Sequence, residues 1–185
     1  MTLLSTPCDD ATAQRRSAVR SCRLAALAAG TLLVVFLMSS GSSRADAVAR
    51  ANAAYARGDY VRAVNILTPL ALNGNANAQA FLGFMFEHGY GAPQVYVAAA
   101  DLYCQAAIRG NPFGQAMLGL MYDKGHGVPQ DFILAYKWLN LAAARAPARE
   151  REYFLRLRNA VASKMSPAQI AEGQRLAMLW TVGLP

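Results

Sequence analysis

The chain has 185 residues, of which 55% are hydrophobic, 9% are aromatic and 16% are charged, and its formal net charge is +7. Thirty-seven residues are alanine, which favours helices packed through small side chains over a sandwich or barrel of β-branched strands. This composition excludes collagen-like, disulfide-scaffold and disordered chains, and the length allows one domain with an appendage.

The first predicted element is an export signal over residues 1–45. Four arginines precede an apolar run over residues 24–38. A helix of that length covers about 22 Å, which is too short for the roughly 30 Å hydrocarbon core and is typical of a secretory signal. The small residues Ser43, Ala45 and Ala47 predict cleavage after Ala45 or Ala47. The predicted location is therefore periplasmic or secreted; the alternative is an uncleaved signal anchor in the inner membrane.

Removal of residues 1–45 would also change the distribution of charge. Residues 46–144 contain six basic and six acidic residues, so the +4 that remains after cleavage lies entirely beyond Ala144. A small surplus at one end of an exported chain predicts no nucleic-acid partner.

An internal repeat of 36 residues follows the signal. Residues 74–109 and 110–145 are identical at 15 of 36 aligned positions. Each unit predicts two helices joined by a glycine-proline loop, the first over 76–88 and 112–124 and the second over 95–109 and 131–144. Gly83 and Gly119 lie inside the first helices, where glycine costs about 1 kcal/mol relative to alanine, and they predict close approach of a neighbouring helix.

Atypical segments flank the two full units. A shortened unit before them pairs a helix over 46–57 with one over 59–73. After them, a helix over 148–164 carries Phe154, Leu157 and Val161 on one side. A last helix begins at Ser166-Pro167-Ala168-Gln169, the capping-box pattern. The predicted organisation is a signal over 1–45, a shortened repeat over 46–73, full repeats over 74–109 and 110–146, and a C-terminal helical cap over 147–185.

The first-helix segments are the most informative part of the repeat. They read Ala80-Phe81-Leu82-Gly83-Phe84-Met85-Phe86 and Gln115-Ala116-Met117-Leu118-Gly119-Leu120-Met121-Tyr122, and a Gly-x-Gly-x-Pro-Gln loop and an alanine-rich helix follow each of them. These residues resemble the SEL-1-like repeat family, which is related to the tetratricopeptide repeat. The 36-residue period and the glycine-proline loop favour it over an ordinary tetratricopeptide repeat, whose period is 34 residues. The resemblance implies an all-α fold, an α-solenoid of stacked antiparallel helix pairs in a right-handed superhelix. It also implies a scaffold for proteins or peptides.

Two sets of side chains are candidates for partner binding. Repeats of this class expose variable positions of their first helices on a concave face, and four apolar residues occupy such positions: Phe81, Phe84, Met117 and Leu120. We predict that this stripe binds an amphipathic helix or an extended peptide. The alternative is that the stripe packs against the neighbouring repeat or the terminal helix.

The second set is basic. Four arginines repeat at a spacing of seven residues: Arg149, Arg151, Arg156 and Arg158. This spacing places Arg149 with Arg156 on one face of a helix and Arg151 with Arg158 on another, and we expect the two faces to be neighbouring. They form either a solvated helix face or a contact for an anionic partner, such as lipid headgroups or a cell-envelope polymer.

The sequence contains no phosphate loop, no His-Glu-x-x-His, no Gly-x-Ser-x-Gly and no dinucleotide fingerprint. We therefore predict no catalytic residue, cofactor or metal. The alternative is a secreted enzyme of cell-wall or β-lactam chemistry, an activity that the resemblance offers. Members of the family with that activity carry disulfides inside each repeat, whereas the chain beyond residue 45 has one cysteine, Cys104.

The predicted function is a non-enzymatic adaptor or scaffold of the bacterial cell envelope with a protein or peptide partner. Membrane contact is predicted only through the N-terminal segment, if that segment is uncleaved.

Overall fold

The computed structural model describes residues 46–182, so the predicted export signal lies outside the described residues. Within them the chain forms eight helices and no strand. The helices are α1 (46–56), α2 (Tyr60–Leu72), α3 (Ala76–His88), α4 (Tyr96–Ile108), α5 (Pro112–Lys124), α6 (Phe132–Arg145), α7 (Ala148–Ala162) and α8 (Pro167–Val182). The all-α prediction is confirmed, and the helices of both full repeats lie within one residue of their predicted bounds.

The helices stack in chain order as antiparallel pairs. From α2 to α7 each helix packs against the next one along the chain, which is the arrangement of an α-solenoid. The first helices of the two full repeats, α3 and α5, also contact each other, whereas the second helices α4 and α6 do not approach as closely. The first helices therefore line the concave side of the stack.

A buried glutamine ties each first helix to the second helix before it. Gln79 Nε2 donates to the carbonyl oxygen of Ala71 at 2.9 Å, and Gln115 Nε2 donates to that of Ala107 at 3.1 Å. Both glutamines are almost fully buried. Because the last carbonyls of a helix have no partner within it, they are free to accept these bonds. The same bond therefore links a first helix to the preceding second helix in both repeats.

The glycine-proline loops pack against the preceding repeat. Gly91 and Gly127 both have a φ of 71°, in the left-handed region that favours glycine. A Cβ on Gly91 would lie 2.5 Å from the carbonyl group of Tyr60, and a Cβ on Gly127 would overlap the carbonyl group of Tyr96. Since Tyr60 and Tyr96 begin α2 and α4, each loop rests on the start of the previous second helix.

The glycines inside the first helices allow the close approach that the sequence predicts. A Cβ on Gly83 would lie 3.0 Å from the ring of Tyr103 in α4, and a Cβ on Gly119 would lie 2.8 Å from Leu139 Cγ in α6. The prediction is therefore confirmed for both repeats.

The two C-terminal helices both pack on α6. On α7 the side chains of Phe154 and Val161 are buried, as predicted. The capping box of α8 is confirmed, because the backbone N–H of Ser166 donates to Gln169 Oε1 at 2.8 Å and the N–H of Gln169 donates to Ser166 Oγ at 3.3 Å. The indole ring of Trp180 in α8 packs edge to face against that of Trp138 in α6.

Candidate binding face on the first helices

The predicted apolar stripe lies on α3 and α5, and all four of its side chains are half-buried. The rings of Phe81 and Phe84 lie 6.5 Å apart on α3. Phe84 is also 6.4 Å from the ring of Phe113, at the start of α5, which is 38% exposed. Phe113 could not be predicted from the 36-residue repeat, because Asn77 occupies its position in the other repeat. We call the surface of Phe81, Phe84, Phe113, Met117 and Leu120 the first-helix face.

Part of this face is anchored in the core. Phe81 packs against the core cluster of α1 to α3, and Phe84 and Met117 pack against the cluster that extends from α4 to α8. Packing against these clusters therefore buries part of each side chain, while the remainder stays accessible to solvent. Phe113 and Leu120 do not belong to either cluster.

Aromatic residues extend the face towards the shortened repeat. Tyr55 of α1 lies 5.4 Å from the ring of Phe81 and 6.0 Å from that of Phe84. Tyr90, in the first loop, stacks on Tyr60 at 4.8 Å. Burial raises the pKa of Tyr55, and the neighbouring phenols of Tyr90 and Tyr60 raise it further. The hydroxyl therefore stays a neutral hydrogen-bond donor well into the alkaline range.

The four arginines of α7 do not form one patch. At about 100° per residue, the pair 149 and 156 and the pair 151 and 158 lie on roughly opposite sides of the helix, so the expectation of neighbouring faces is wrong. Arg158 Nη1 donates to Asn140 Oδ1 at 3.1 Å, and Arg151 Nη2 donates to the carbonyl oxygen of Ala146 at 3.3 Å. Arg158 therefore links α7 to α6, and Arg151 binds the carbonyl of the residue that follows α6. Arg149, Arg151 and Arg156 are all exposed.

Two carboxylates at equivalent repeat positions have structural partners. Tyr103 Oη donates to Glu87 Oε2 at 2.8 Å, and Lys164 Nζ lies 2.8 Å from Asp123 Oδ1. Burial raises the pKa of Tyr103 far above its ordinary value, and the Glu87 carboxylate adds to the shift. The phenol is therefore a fixed donor to Glu87, and both pairs act as links between elements of the stack.

Residues 46–182 contain no group of three or more His, Cys, Asp or Glu placed to hold a metal ion. None of the helices in this part of the chain is both long and apolar enough to cross a membrane.

The repeat geometry defines a class of protein, the α-helical-repeat proteins. The Sel1 repeat family model matches residues 76–111 and 112–146. Residues 76–146 therefore form two Sel1 repeats, one made by α3–α4 and the other by α5–α6. Sel1-repeat proteins are generally scaffolds for protein–protein interaction.

Solved structures agree with this assignment. One is c5321, a protective antigen present in uropathogenic Escherichia coli strains that displays an SLR fold. Its sequence is 26% identical to this chain and the TM-score is 0.66; the match covers 78% of this chain and 32% of the c5321 chain. Another is a Sel1 repeat protein from Oxalobacter formigenes, 27% identical with a TM-score of 0.53 over 58% of this chain and 44% of its own. This chain thus spans about a third of the first protein and less than half of the second. A search of curated proteins gave no match. The predicted SEL-1-like α-solenoid is confirmed.

Proposed function

We propose that this chain is an exported, non-enzymatic adaptor of the bacterial cell envelope that binds a protein or peptide on its first-helix face. The observation that carries this proposal is the first-helix face itself. Apolar side chains at equivalent positions of α3 and α5 line the concave side and remain half-exposed. Stacked repeats commonly bind their partners on such a concave surface.

The chemistry of the face suits a polypeptide with apolar anchors. Aromatic residues bury much apolar surface at a small entropic cost, and buried apolar area contributes about 25 cal/mol per Å². Phe84 and Phe113 provide such surfaces on neighbouring helices, 6.4 Å apart. A peptide helix with apolar residues three or four positions apart would present a matching stripe.

A double variant tests this binding. Phe113→Ser with Leu120→Ser removes the two members of the face that lie outside the core clusters, so the stack should remain folded. Val61→Ser with Val97→Ser is the matched control, because these side chains are 59% and 60% exposed on the second helices α2 and α4. In affinity capture from the cell envelope, the face variant should lose a partner that the control retains. Equal capture by both variants would contradict the proposal.

Export is supported by the arginines and the apolar run within residues 1–45. Of the two predicted cleavage positions, the one after Ala45 fits α1 better, because Ala47 lies inside that helix and is only 8% exposed. N-terminal sequencing of the chain from a periplasmic fraction should therefore begin at Asp46. Recovery of the intact N-terminus in the membrane fraction would favour the signal anchor.

The non-enzymatic assignment has a direct test of its own. The chain as isolated from expressing cells should not hydrolyse a chromogenic β-lactam or peptidoglycan faster than a matched buffer control. Turnover that survives repurification would contradict the adaptor proposal and favour the cell-wall or β-lactam alternative.

A further inference from the structure

Helix α7 occupies the place of a first helix, although its sequence no longer resembles the repeat. Its first residue, Ala148, lies 36 positions after Pro112, the first residue of α5. Phe154 is buried at the position of Leu118. Arg151 replaces Gln115 and makes the corresponding type of bond, donating to a carbonyl at the end of the preceding second helix.

The same register places three residues of α7 at positions equivalent to members of the first-helix face. Arg149, Tyr153 and Arg156 stand 36 residues after Phe113, Met117 and Leu120. All three are exposed, and Tyr153 is 48% exposed. The equivalent positions therefore change from apolar side chains on α3 and α5 to two cations and a tyrosine on α7.

The two cations are largely available to a ligand. Arg149 forms an ion pair with Glu150 at 3.3 Å, and 87% of the Arg149 side chain and 42% of the Glu150 side chain are exposed. Exposed ion pairs of this kind contribute little to the free energy of unfolding. Arg156 has no ion pair among the described residues. Both arginines belong to one helix, and their Cα atoms are about 10 Å apart along its axis.

We propose that the partner of this face is a polypeptide segment that joins apolar side chains to carboxylates. The apolar side chains would lie against Phe84, Phe113 and Leu120, and the carboxylates would bind Arg149 and Arg156. This inference rests on the proposed function and specifies the chemistry of the partner. A guanidinium group binds a carboxylate through two parallel hydrogen bonds, so it recognises Asp, Glu or a chain terminus better than a neutral amide.

The shape of the face favours a polypeptide over a membrane surface. Phe84 and Phe113 belong to helices that line the concave side of the stack. A concave side restricts contact with a planar bilayer, whereas a peptide segment can lie along it.

The experiment selects peptides from a phage-displayed library of random dodecapeptides on the chain as isolated from expressing cells. The selected peptides should combine Leu, Ile or Phe with Asp or Glu. Arg149→Gln with Arg156→Gln should weaken binding of the best peptide about 10-fold, the effect of losing charge-assisted bonds worth about 1.4 kcal/mol. The control, Arg62→Gln with Arg175→Gln, removes two exposed charges from α2 and α8 and should leave the affinity unchanged.

Three other outcomes would overturn the inference. Apolar peptides without acidic residues, bound equally by the wild type and the Arg149/Arg156 variant, would remove the carboxylate requirement and leave the proposed function standing. Failure to select any peptide would overturn the inference, while the envelope capture with the Phe113/Leu120 variant would still decide the proposed function. Binding of phosphatidylglycerol vesicles, lost in the Arg149/Arg156 variant while its peptide affinity is unchanged, would assign the two arginines to lipid.

Discussion

The pair α5–α6 and the pair α7–α8 begin 36 residues apart but are packed differently. In the first pair, Gly119 lets α6 lie directly on α5; in the second, Leu155 occupies the equivalent position, and α8 packs on α6 instead of on α7. The connection also changes, because the loop with Gly125 and Gly127 has no counterpart between α7 and α8. Antiparallel packing within a repeat therefore coincides with positions that have no side chain. Where Leu155 replaces the glycine, the following helix packs on α6 instead.

The exchange of these two residues gives the largest expected effect. Gly119→Leu should lower the free energy of unfolding by about 4 kcal/mol or more, because overpacking at a close helix contact displaces a whole helix. Even a Cβ there would lie 3.0 Å from the carbonyl oxygen of Ala135. Urea denaturation followed by circular dichroism measures the change. The reverse exchange, Leu155→Gly, removes only a half-buried side chain and should cost less; the opposite order would contradict this role of Gly119.

The loop glycines should give the next largest effect. Gly127→Ala combines strain at positive φ with a clash against the carbonyl of Tyr96, and it should cost about 3 kcal/mol. Gly58 is the matched control, since it has a φ of 80° but nothing within 4 Å of an added Cβ. Gly58→Ala should lower the free energy of unfolding by about 1 kcal/mol, because it introduces only the backbone strain. Equal losses in urea denaturation would show that the loop contact does not stabilise the stack.

Tyr103→Phe tests the carboxylate link inside the repeat. It should cost about 1 kcal/mol at neutral pH through loss of the bond to Glu87. The pKa of Tyr103 is raised in the folded state, so its contribution is present below the unfolded pKa of about 10 and is lost as the pH rises above it. Wild-type stability should therefore fall more steeply than that of the variant above about pH 10. Parallel curves from urea denaturation between neutral and alkaline pH would contradict this assignment.

Lys164→Met tests the corresponding link to the cap and should give the smallest effect. The Lys164–Asp123 pair is partly exposed, with 47% and 13% of the side chains accessible, and such pairs contribute about 0.5 kcal/mol. The loss should shrink in high salt, unlike that of Tyr103→Phe. A salt-independent loss larger than that of Tyr103→Phe would mean that the cap is fastened more firmly than the repeats.

The regular part of the fold could be predicted because its determinants are local and occur twice. The positions of Gly83 and Gly119 indicated close helix contacts, and Ser166 with Gln169 indicated the start of α8. The register of α7 could not be predicted, because Leu155 and Arg151 replace the glycine and glutamine that mark a first helix. Only the packing of α7 on α6 shows its place.

The candidate site was predictable in part for a related reason. The equivalence of Phe81 with Met117 and of Phe84 with Leu120 follows from the 36-residue spacing. The position of Tyr55 depends on the short turn over 57–59, which has a different length from the repeat loops. The separate roles of the arginines depend on which side of α7 packs against α6, and the charge pattern alone does not contain that information.

Site-specific photo-crosslinking in living cells tests the central claim most directly. The photoreactive residue p-benzoylphenylalanine would be placed at position 113, on the first-helix face, and separately at position 97, on the second helix α4. We expect a discrete adduct with a protein or peptide from position 113 and none from position 97. The same adduct from both positions, or an adduct from position 97 alone, would contradict binding on the first-helix face.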